Sequence, residues 1–183
     1  MTREGIRLTG YAPNAGGVTR SPSEAVAIAR KHGVEVPEWV RVVPDASVPP
    51  GRFAEYRLGG KSPMASGGEV RWSNLSPDGI VVVRVQPDVL KSDEAIVGVL
   101  AHESYELTRV RRLVEAHGSM AAGQVQRHID PRLDTNLHGQ AWDIADLRVM
   151  AMRAKTGEAR AAVLQRLEAL ETKYDQINGI MRR

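Results

Sequence analysis

The chain has 183 residues, of which 42% are hydrophobic and 26% charged, enough for one domain with its own core. It contains no cysteine, which excludes disulfide bonds, thiolate metal sites and a cysteine nucleophile. The net charge of +3 is a mild basic excess that permits a nucleic-acid partner without indicating one.

The N-terminal half predicts one helix and a small sheet. Residues 1–20 are rich in glycine and proline and show no period, so we expect a loosely ordered lead-in. Ser21 then begins a helix with a capping-box pattern, and Gly33 ends it. Strand patterns follow, separated in one place by a glycine- and serine-rich loop: strands at 39–43, 52–58, 69–73 and 80–85, loop at 59–68.

The chain beyond Pro87 is almost wholly helical in pattern. Ser92 is the expected N-cap of a long helix over 93–117, whose apolar residues recur with a period near 3.6. Two further helices are predicted, one over 120–128 and one from an N-cap at Thr135 or Asn136 to about residue 154.

A last helix is predicted over 158–181. Its apolar residues form a narrow seam, which favours packing on another helix or, through residues 163–181, a helix-mediated oligomer. Together the elements predict an α+β fold with a single domain over 21–183, in which 158–183 is an appended amphipathic helix. We expect a small antiparallel or mixed sheet packed on a C-terminal helical bundle.

The pattern His-Glu-x-x-Glu at 102–106 is the most informative feature of the long helix. Residues four apart share a helix face, so His102 and Glu106 can bind one divalent cation without bending the backbone. The preceding residues 96–101 are nearly all apolar, which indicates a buried helix where ionisable groups are costly unless paired or metal-bound. We therefore expect these two residues to be metal ligands, with Glu103 as the general base.

A third protein ligand must come from another element, because a catalytic zinc usually takes three and keeps one position for water. His138, in the first turn of its predicted helix, is the expected third ligand, and His128 is the competing one. Asp143 and Asp146 lie off the face of His138 by roughly 140° and 80°, which suits them to orienting an imidazole or binding an arginine. The expected cofactor is a divalent metal, with zinc favoured.

The helix motif resembles the zincin motif H-E-x-x-H with its second histidine replaced by glutamate. A sheet followed by a motif-bearing helix is also the order of zincin-like proteins, so the resemblance implies a zincin-like fold and a metal-dependent, metallopeptidase-like hydrolase acting on a protein or peptide. Two alternatives stay open. One is a metal-dependent nuclease, which the pI of about 9.4 favours, and the other is a non-enzymatic binding module with a structural His/Glu cluster.

Other polar and aromatic residues have structural interpretations. His32 and His117 each precede a glycine that ends a helix, so we expect both to cap helix C-termini. Trp142 is expected in the core, and Tyr105 or an arginine is a candidate for stabilising an oxyanion. Three arginines of the long helix are expected to form a solvated face, namely Arg109, Arg111 and Arg112.

Three segments resemble a domain found at the C-termini of large bacterial RHS-repeat and related polymorphic-toxin-like proteins. They are Lys-Ser-Asp-Glu-Ala-Ile-Val at 91–97, His-Glu-x-x-Glu-Leu at 102–107, and Leu-His-x-x-Ala-Trp-Asp-x-Ala-Asp at 137–146. The resemblance covers about residues 21–153 and implies a toxin or effector module with an immunity protein as a partner. The chain departs from the pattern at Gly139 and Gln140, where we expect acidic residues in such domains.

The N-terminal residues carry no apolar signal core, and no run approaches about 18 apolar residues. We therefore expect no signal peptide and no membrane partner. The expected location is the cytoplasm for the chain as given, or outside the cell if the chain is part of a larger exported effector.

Overall fold

The computed structural model of the chain describes residues 10–49, 51–59 and 68–180. Its fold is α+β, as the sequence predicts, with helices and a small mixed sheet. The helices are α1 (Pro22–Lys31), α2 (Trp72–Leu75), α3 (Asp93–His117), α4 (Ala122–His128), α5 (Leu137–Arg153) and α6 (Gly157–Ile177). The strands are β1 (Val40–Pro44), β2 (Ala54–Tyr56), β3 (Glu69–Val70), β4 (Val81–Val85) and β5 (Met120–Ala121).

The three-stranded sheet has β4 in the middle, parallel to β1 and antiparallel to β2. One face of β4 is buried in the core, because strand side chains alternate between the two faces. Val82 points to the other face and is 40% exposed. On this open face Arg84 binds Asp45, at 3.1 Å, and Glu55. The run 80–85 is therefore buried on one side only, and β2 is an edge strand.

Helix α3 is the central element, with the predicted bounds. It begins where the Ser92 hydroxyl accepts a hydrogen bond from the amide of Ala95 at 3.1 Å, and ends at Gly118, whose φ is 71°. Between 95 and 110 almost every side chain is buried, which is the pattern of a helix packed on several sides. Helices α1 and α5 both pack along it, so its ionisable residues lie in the protein interior.

Helices α5 and α6 pack side by side. Asn136 caps α5 by accepting a hydrogen bond from the amide of Gly139 at 3.1 Å, which selects it over Thr135. The predicted seam of α6 is directed into the chain's own core, where Leu167 is buried and Leu170 is partly buried. Ile177, one turn beyond Tyr174 in the seam, is 63% exposed.

The helix ends carry the predicted caps. Ser21 and Glu24 form a reciprocal capping box at the start of α1, with hydrogen bonds of 3.3 and 2.7 Å. His32 occupies the C-cap of α1. His117 is the last residue of α3, and its ring Nδ1 lies 2.8 Å from the carbonyl oxygen of Leu113.

The arginines of α3 do not form the solvated face that the sequence predicts. Arg109 is buried and its guanidinium binds the buried carboxylate of Asp175 on α6 at 3.1 Å. Of the three, Arg112 is exposed, whereas Arg111 is half-buried. The Arg111 guanidinium lies 5.1 and 5.6 Å from the ring centroids of two tryptophans, Trp39 and Trp72. The prediction failed because α2 and α6 cover this end of the helix.

Residues 10–20 are held more firmly than a loosely ordered lead-in would be. The amide of Asn14 donates to the carbonyl of Lys91 at 2.8 Å, and Arg20 forms an ion pair with Asp93 at 2.9 Å. These contacts bind the segment to the N-terminus of α3, and no periodicity in the sequence reveals them. Predictions for 1–9, for most of the 59–68 loop and for 181–183 lie outside the described residues.

Several element boundaries differ from the predictions. Strand β2 spans only Ala54–Tyr56 of the predicted 52–58, and α6 ends at Ile177 and not at 181. The strand expected at 69–73 is confined to Glu69–Val70, which pairs antiparallel with Met120–Ala121. The chain then turns into α2, where the side-chain oxygen of Asn74 accepts a hydrogen bond from the amide of Arg71 at 2.9 Å. Because 120–121 belongs to a strand, α4 begins only at Ala122, two residues later than predicted.

Candidate metal centre

Three of the predicted site residues converge on one point. His102 and Glu106 lie one turn apart on α3, and His138 reaches them from the first turn of α5. The Oε2 of Glu106 is 3.6 Å from the Nε2 of His102 and 2.9 Å from the Nδ1 of His138. One ligand atom from each of the three residues lies within 4.8 Å of the others. The group could therefore hold a single metal ion.

The spacing of these atoms fits a small divalent cation. Zinc bonds of about 2.0–2.1 Å to nitrogen and oxygen in tetrahedral geometry place neighbouring ligand atoms about 3.3 Å apart. The two separations from Glu106 Oε2, 3.6 and 2.9 Å, lie on either side of that value, and all three ligand atoms lie within 4.8 Å of one another. Two imidazoles and one carboxylate are also a donor set that suits zinc, and the chain offers no softer thiolate ligand.

Glu103 lies beside the ligand group and not within it. Its Oε1 is 4.0 Å from the Nε2 of His102, and only 7% of the residue is exposed. Both Glu103 and Glu106 face a cleft with a volume of about 190 Å³. A carboxylate in this position is placed to exchange a proton with a molecule in the cleft.

The cleft lies between the sheet edge and the segment that follows α4. Its floor is formed by His102, Glu103, Glu106 and His138. One wall comes from the β2 region and includes Arg52, Ala54 and Tyr56. The opposite wall includes Ile129 and Pro131, which are apolar. The candidate centre is therefore accessible to a ligand, although His102 and Glu106 are buried and His138 is partly buried.

Tyr56 is a site residue that the sequence analysis did not identify. Its hydroxyl donates a hydrogen bond to the Oε1 of Glu106, which leaves Oε2 directed at the two histidines. Burial raises the pKa of the Tyr56 phenol, and the nearby carboxylates of Glu106 and Glu103 raise this pKa further. The phenol therefore stays protonated and donates. The available signal was a tyrosine within the predicted 52–58 strand, but no local pattern connects it with residue 106.

Trp142 belongs to the core, as predicted, and it also supports the site. Its ring centroid lies 4.0 Å from that of His102, with 30° between the ring planes. Phe53 packs on the other side of the tryptophan at 5.8 Å. This close contact restricts rotation of the His102 imidazole, because the indole occupies the space on one side of the ring.

Three residues predicted around the centre lie elsewhere. Asp143 accepts a hydrogen bond from the Tyr174 hydroxyl at 2.6 Å, so it connects α5 with α6 and does not orient an imidazole. Asp146 is half-buried on α5 and is not part of the cleft lining. His128 faces a separate cavity of about 460 Å³ that His117 also lines, and it takes no part in the ligand group. Burial and the proximity of His117 lower the pKa of His128.

Tyr105 is directed away from the cleft. Its ring lies 4.1 Å beneath the Arg109 guanidinium, and it lines a small cavity of about 30 Å³ on another side of α3. Because adjacent helix residues point about 100° apart, a neighbour of Glu106 cannot share its face. Tyr105 is therefore not placed to stabilise an oxyanion at this centre.

The two positions at which the chain departs from the toxin-like pattern have structural roles. A Cβ atom at Gly139 would overlap the backbone carbonyl of Asp134, so no acidic side chain fits there. Gln140 is buried, and its amide donates to the carbonyl of Thr135 at 3.2 Å and accepts from Asn178 at 2.7 Å. Neither residue faces the metal centre.

No protein-family model, no curated protein and no solved structure matches the chain. Among residues 10–49, 51–59 and 68–180, no helix has the combination of length and apolar character needed to cross a bilayer.

Proposed function

We propose that this protein is a metal-dependent hydrolase that cleaves peptide bonds with a zinc ion bound by His102, Glu106 and His138. The observation that carries the proposal is the convergence of these ligand atoms within 4.8 Å on the floor of an open cleft. Two histidines and one glutamate are also the ligand set of zinc peptidases such as thermolysin. A purely structural His/Glu network does not need access from an open cleft.

The residues around the ligand group have complementary roles in this proposal. A divalent ion at this position would polarise a substrate carbonyl and make a water molecule more acidic. Glu103 accepts the proton of the attacking water and returns it to the leaving amine. Tyr56 fixes the orientation of the Glu106 carboxylate through its hydrogen bond, and Trp142 restricts the ring of His102.

We further propose that the hydrolase acts as a toxin or effector module. The support is the resemblance of the segments at 91–97, 102–107 and 137–146 to domains of RHS-repeat and polymorphic-toxin-like proteins. A toxin of this kind needs an immunity protein in the producing cell. Induced expression in a bacterium without such a protein tests the role, with E103Q as the matched control. Equal growth with both chains would count against a toxic activity.

Metal analysis of the purified protein is the first test of the hydrolase. We expect one zinc per chain, lost in H102A and retained in H117A, because His117 lies at the end of α3 away from the ligand group. Circular dichroism shows whether both variants remain folded. A folded wild-type protein that binds no divalent ion would contradict the metal centre and would leave the non-enzymatic alternative.

Substrate assays then separate the enzyme classes. Zinc-loaded protein is incubated with casein, with plasmid DNA and with RNA, each with and without a chelator. We expect chelator-sensitive cleavage of casein and a loss of at least about a hundredfold in E103Q, since a general base contributes about 10²–10⁴. Cleavage of nucleic acid without cleavage of casein would show that the protein is a nuclease and not a peptidase. Full activity of E103Q would exclude Glu103 as the base.

A further inference from the structure

The cleft wall carries an arginine that the proposed chemistry does not use. Arg52 lines the cleft beside Ala54 and Tyr56, and its side chain is 53% exposed. It forms a long ion pair with Glu55, with 3.7 Å between the guanidinium Nη1 and the carboxylate Oε2. That separation exceeds a hydrogen bond, so this ion pair does not use a guanidinium N–H as a hydrogen-bond donor.

The neighbouring charges are already paired. Glu55 forms a closer ion pair with Arg84, which also binds Asp45 at 3.1 Å on the open face of the sheet. Near the opposite wall, Arg132 makes a forked pair with Asp130, with contacts of 2.9 and 2.7 Å. Arg52 therefore differs from Arg84 and Arg132 in degree, because each of those two donates hydrogen bonds to a carboxylate of this chain, whereas Arg52 has only a longer ion pair.

The charge of the floor also favours an anionic group near Arg52. A bound dication neutralises the carboxylates of Glu103 and Glu106, so these residues would not repel an acidic ligand. Three further wall residues, Ala54, Ile129 and Pro131, are apolar. Glu55 also lines the cleft, and its negative charge is offset by the ion pair with Arg84. A planar guanidinium matches a carboxylate with two parallel hydrogen bonds, which gives selectivity as well as binding energy.

We propose that Arg52 determines specificity by binding a substrate carboxylate, so that the enzyme prefers peptides with an acidic side chain close to the scissile bond. The inference rests on the proposed peptidase function and adds its substrate class. Arg52 reaches the cleft from the segment leading into edge strand β2, whereas the ligands lie on α3 and α5. Binding of substrate charge is therefore structurally separate from metal binding.

The test compares peptides of one sequence that carry Glu, Gln or Lys at each of three positions on either side of the scissile bond. For the zinc-loaded wild-type chain we expect the Glu peptide to exceed the Lys peptide in kcat/KM by about ten- to a hundredfold, the value of a hydrogen bond to a charged group. R52Q should abolish this preference, and R52E should reverse it. Zinc content should stay at one per chain in both variants.

R57Q is the matched control, because Arg57 is an exposed arginine of the same segment that does not line the cleft. It removes the same charge and should leave the preference for Glu unchanged. An equal loss in R52Q and R57Q would show that only the overall charge matters, which overturns the inference. Loss of plasmid cleavage in R52Q without an effect on Glu peptides would overturn it in favour of phosphate binding.

A binding experiment separates the failure of this inference from the failure of the proposed function. Calorimetry measures how uncleavable dipeptide hydroxamates with a Glu or a Lys side chain bind to the zinc-loaded protein. Tighter binding of the Glu compound that depends on Arg52, without cleavage of any peptide, would support carboxylate binding by Arg52 and refute the peptidase. Peptide cleavage with no charge preference, or no difference in binding between the two hydroxamates, would refute the role of Arg52 and leave the peptidase function standing.

Discussion

The Tyr56 hydroxyl donates a hydrogen bond to Glu106, and this contact joins the edge strand of the sheet to the carboxylate of the candidate metal centre. It leaves the other oxygen of Glu106 directed at both histidines. The orientation of one candidate ligand on α3 thus depends on a residue that lies 50 positions earlier in the chain.

Removing this hydroxyl should weaken zinc binding. We expect Y56F to reduce zinc affinity by about 10–100-fold, because partners that orient metal ligands typically have effects of that size. Competition with a zinc-sensitive dye measures the change. Y174F is the control, since its hydroxyl binds Asp143 between α5 and α6. It should cost about 1 kcal/mol of unfolding free energy and leave zinc affinity as it was. Equal zinc affinity in wild type and Y56F would remove Tyr56 from the centre.

Removal of the metal by a chelator should destabilise the protein only if His138 is present, whereas His128 should make no difference. An ion present at a thousand times its Kd stabilises the folded state by about 4 kcal/mol, which corresponds to roughly 10 °C in a chain of this size. We expect EDTA to lower the melting temperature of the wild type and of H128A by this amount. H138A should melt at the same temperature with and without EDTA. Calorimetric scans give the comparison, and a chelator effect that persists in H138A would assign the third ligand to another residue.

Substitution of Gly139 should be severely destabilising. In G139A the new methyl group overlaps the backbone of Asp134, which cannot move aside as a flexible side chain would. We expect a loss of about 3 kcal/mol or more in unfolding free energy, measured in urea. Gly123 on α4 is the matched control, because a Cβ there meets no atom within 4 Å. G123A should raise stability by up to about 1 kcal/mol through helix propensity.

The contact between residues 10–20 and α3 should weaken in acid. The hydrogen bond and charge of Arg20 hold the pKa of Asp93 below its usual value. A carboxyl whose pKa is lower in the folded state stabilises the protein above the unfolded-state pKa of about 3.9, and this stabilisation is lost as the pH falls through the folded-state pKa.

The measurement is the difference in unfolding free energy between wild type and D93N as a function of pH. Both partners are partly exposed, so we expect about 1 kcal/mol at pH 7 and a value that falls toward zero as the pH drops through the folded-state pKa of Asp93. D88N is the comparison, because the Asp88 side chain is 72% exposed and pairs only with Lys91 nearby on the surface. A difference for D93N that stays constant down to pH 3 would show that Asp93 acts through packing.

The helices were predictable because their signals are local. A hydrogen-bonding serine at 92, a glycine at 118 and apolar residues at helical spacing specify α3 without any distant partner. The same helical period places His102 and Glu106 on one face, so two of the proposed ligands follow from spacing alone. The small mixed sheet was also predicted. The strand expected at 69–73 is shorter than predicted, because only Glu69 and Val70 pair with a partner strand, at 120–121.

The sequence by itself thus determined the α+β class, the bounds of the central helix and the His102–Glu106 pair, because each depends on hydrogen bonds and side-chain spacing within a few residues. Only the tertiary structure decided that His138 and not His128 completes the group, that Tyr56 holds Glu106, and that Arg52 faces the cleft. These contacts arise from the packing of α5 on α3 and from the position of β2 at the sheet edge. Such long-range geometry is the sum of many weak packing interactions, and no short segment of sequence contains it.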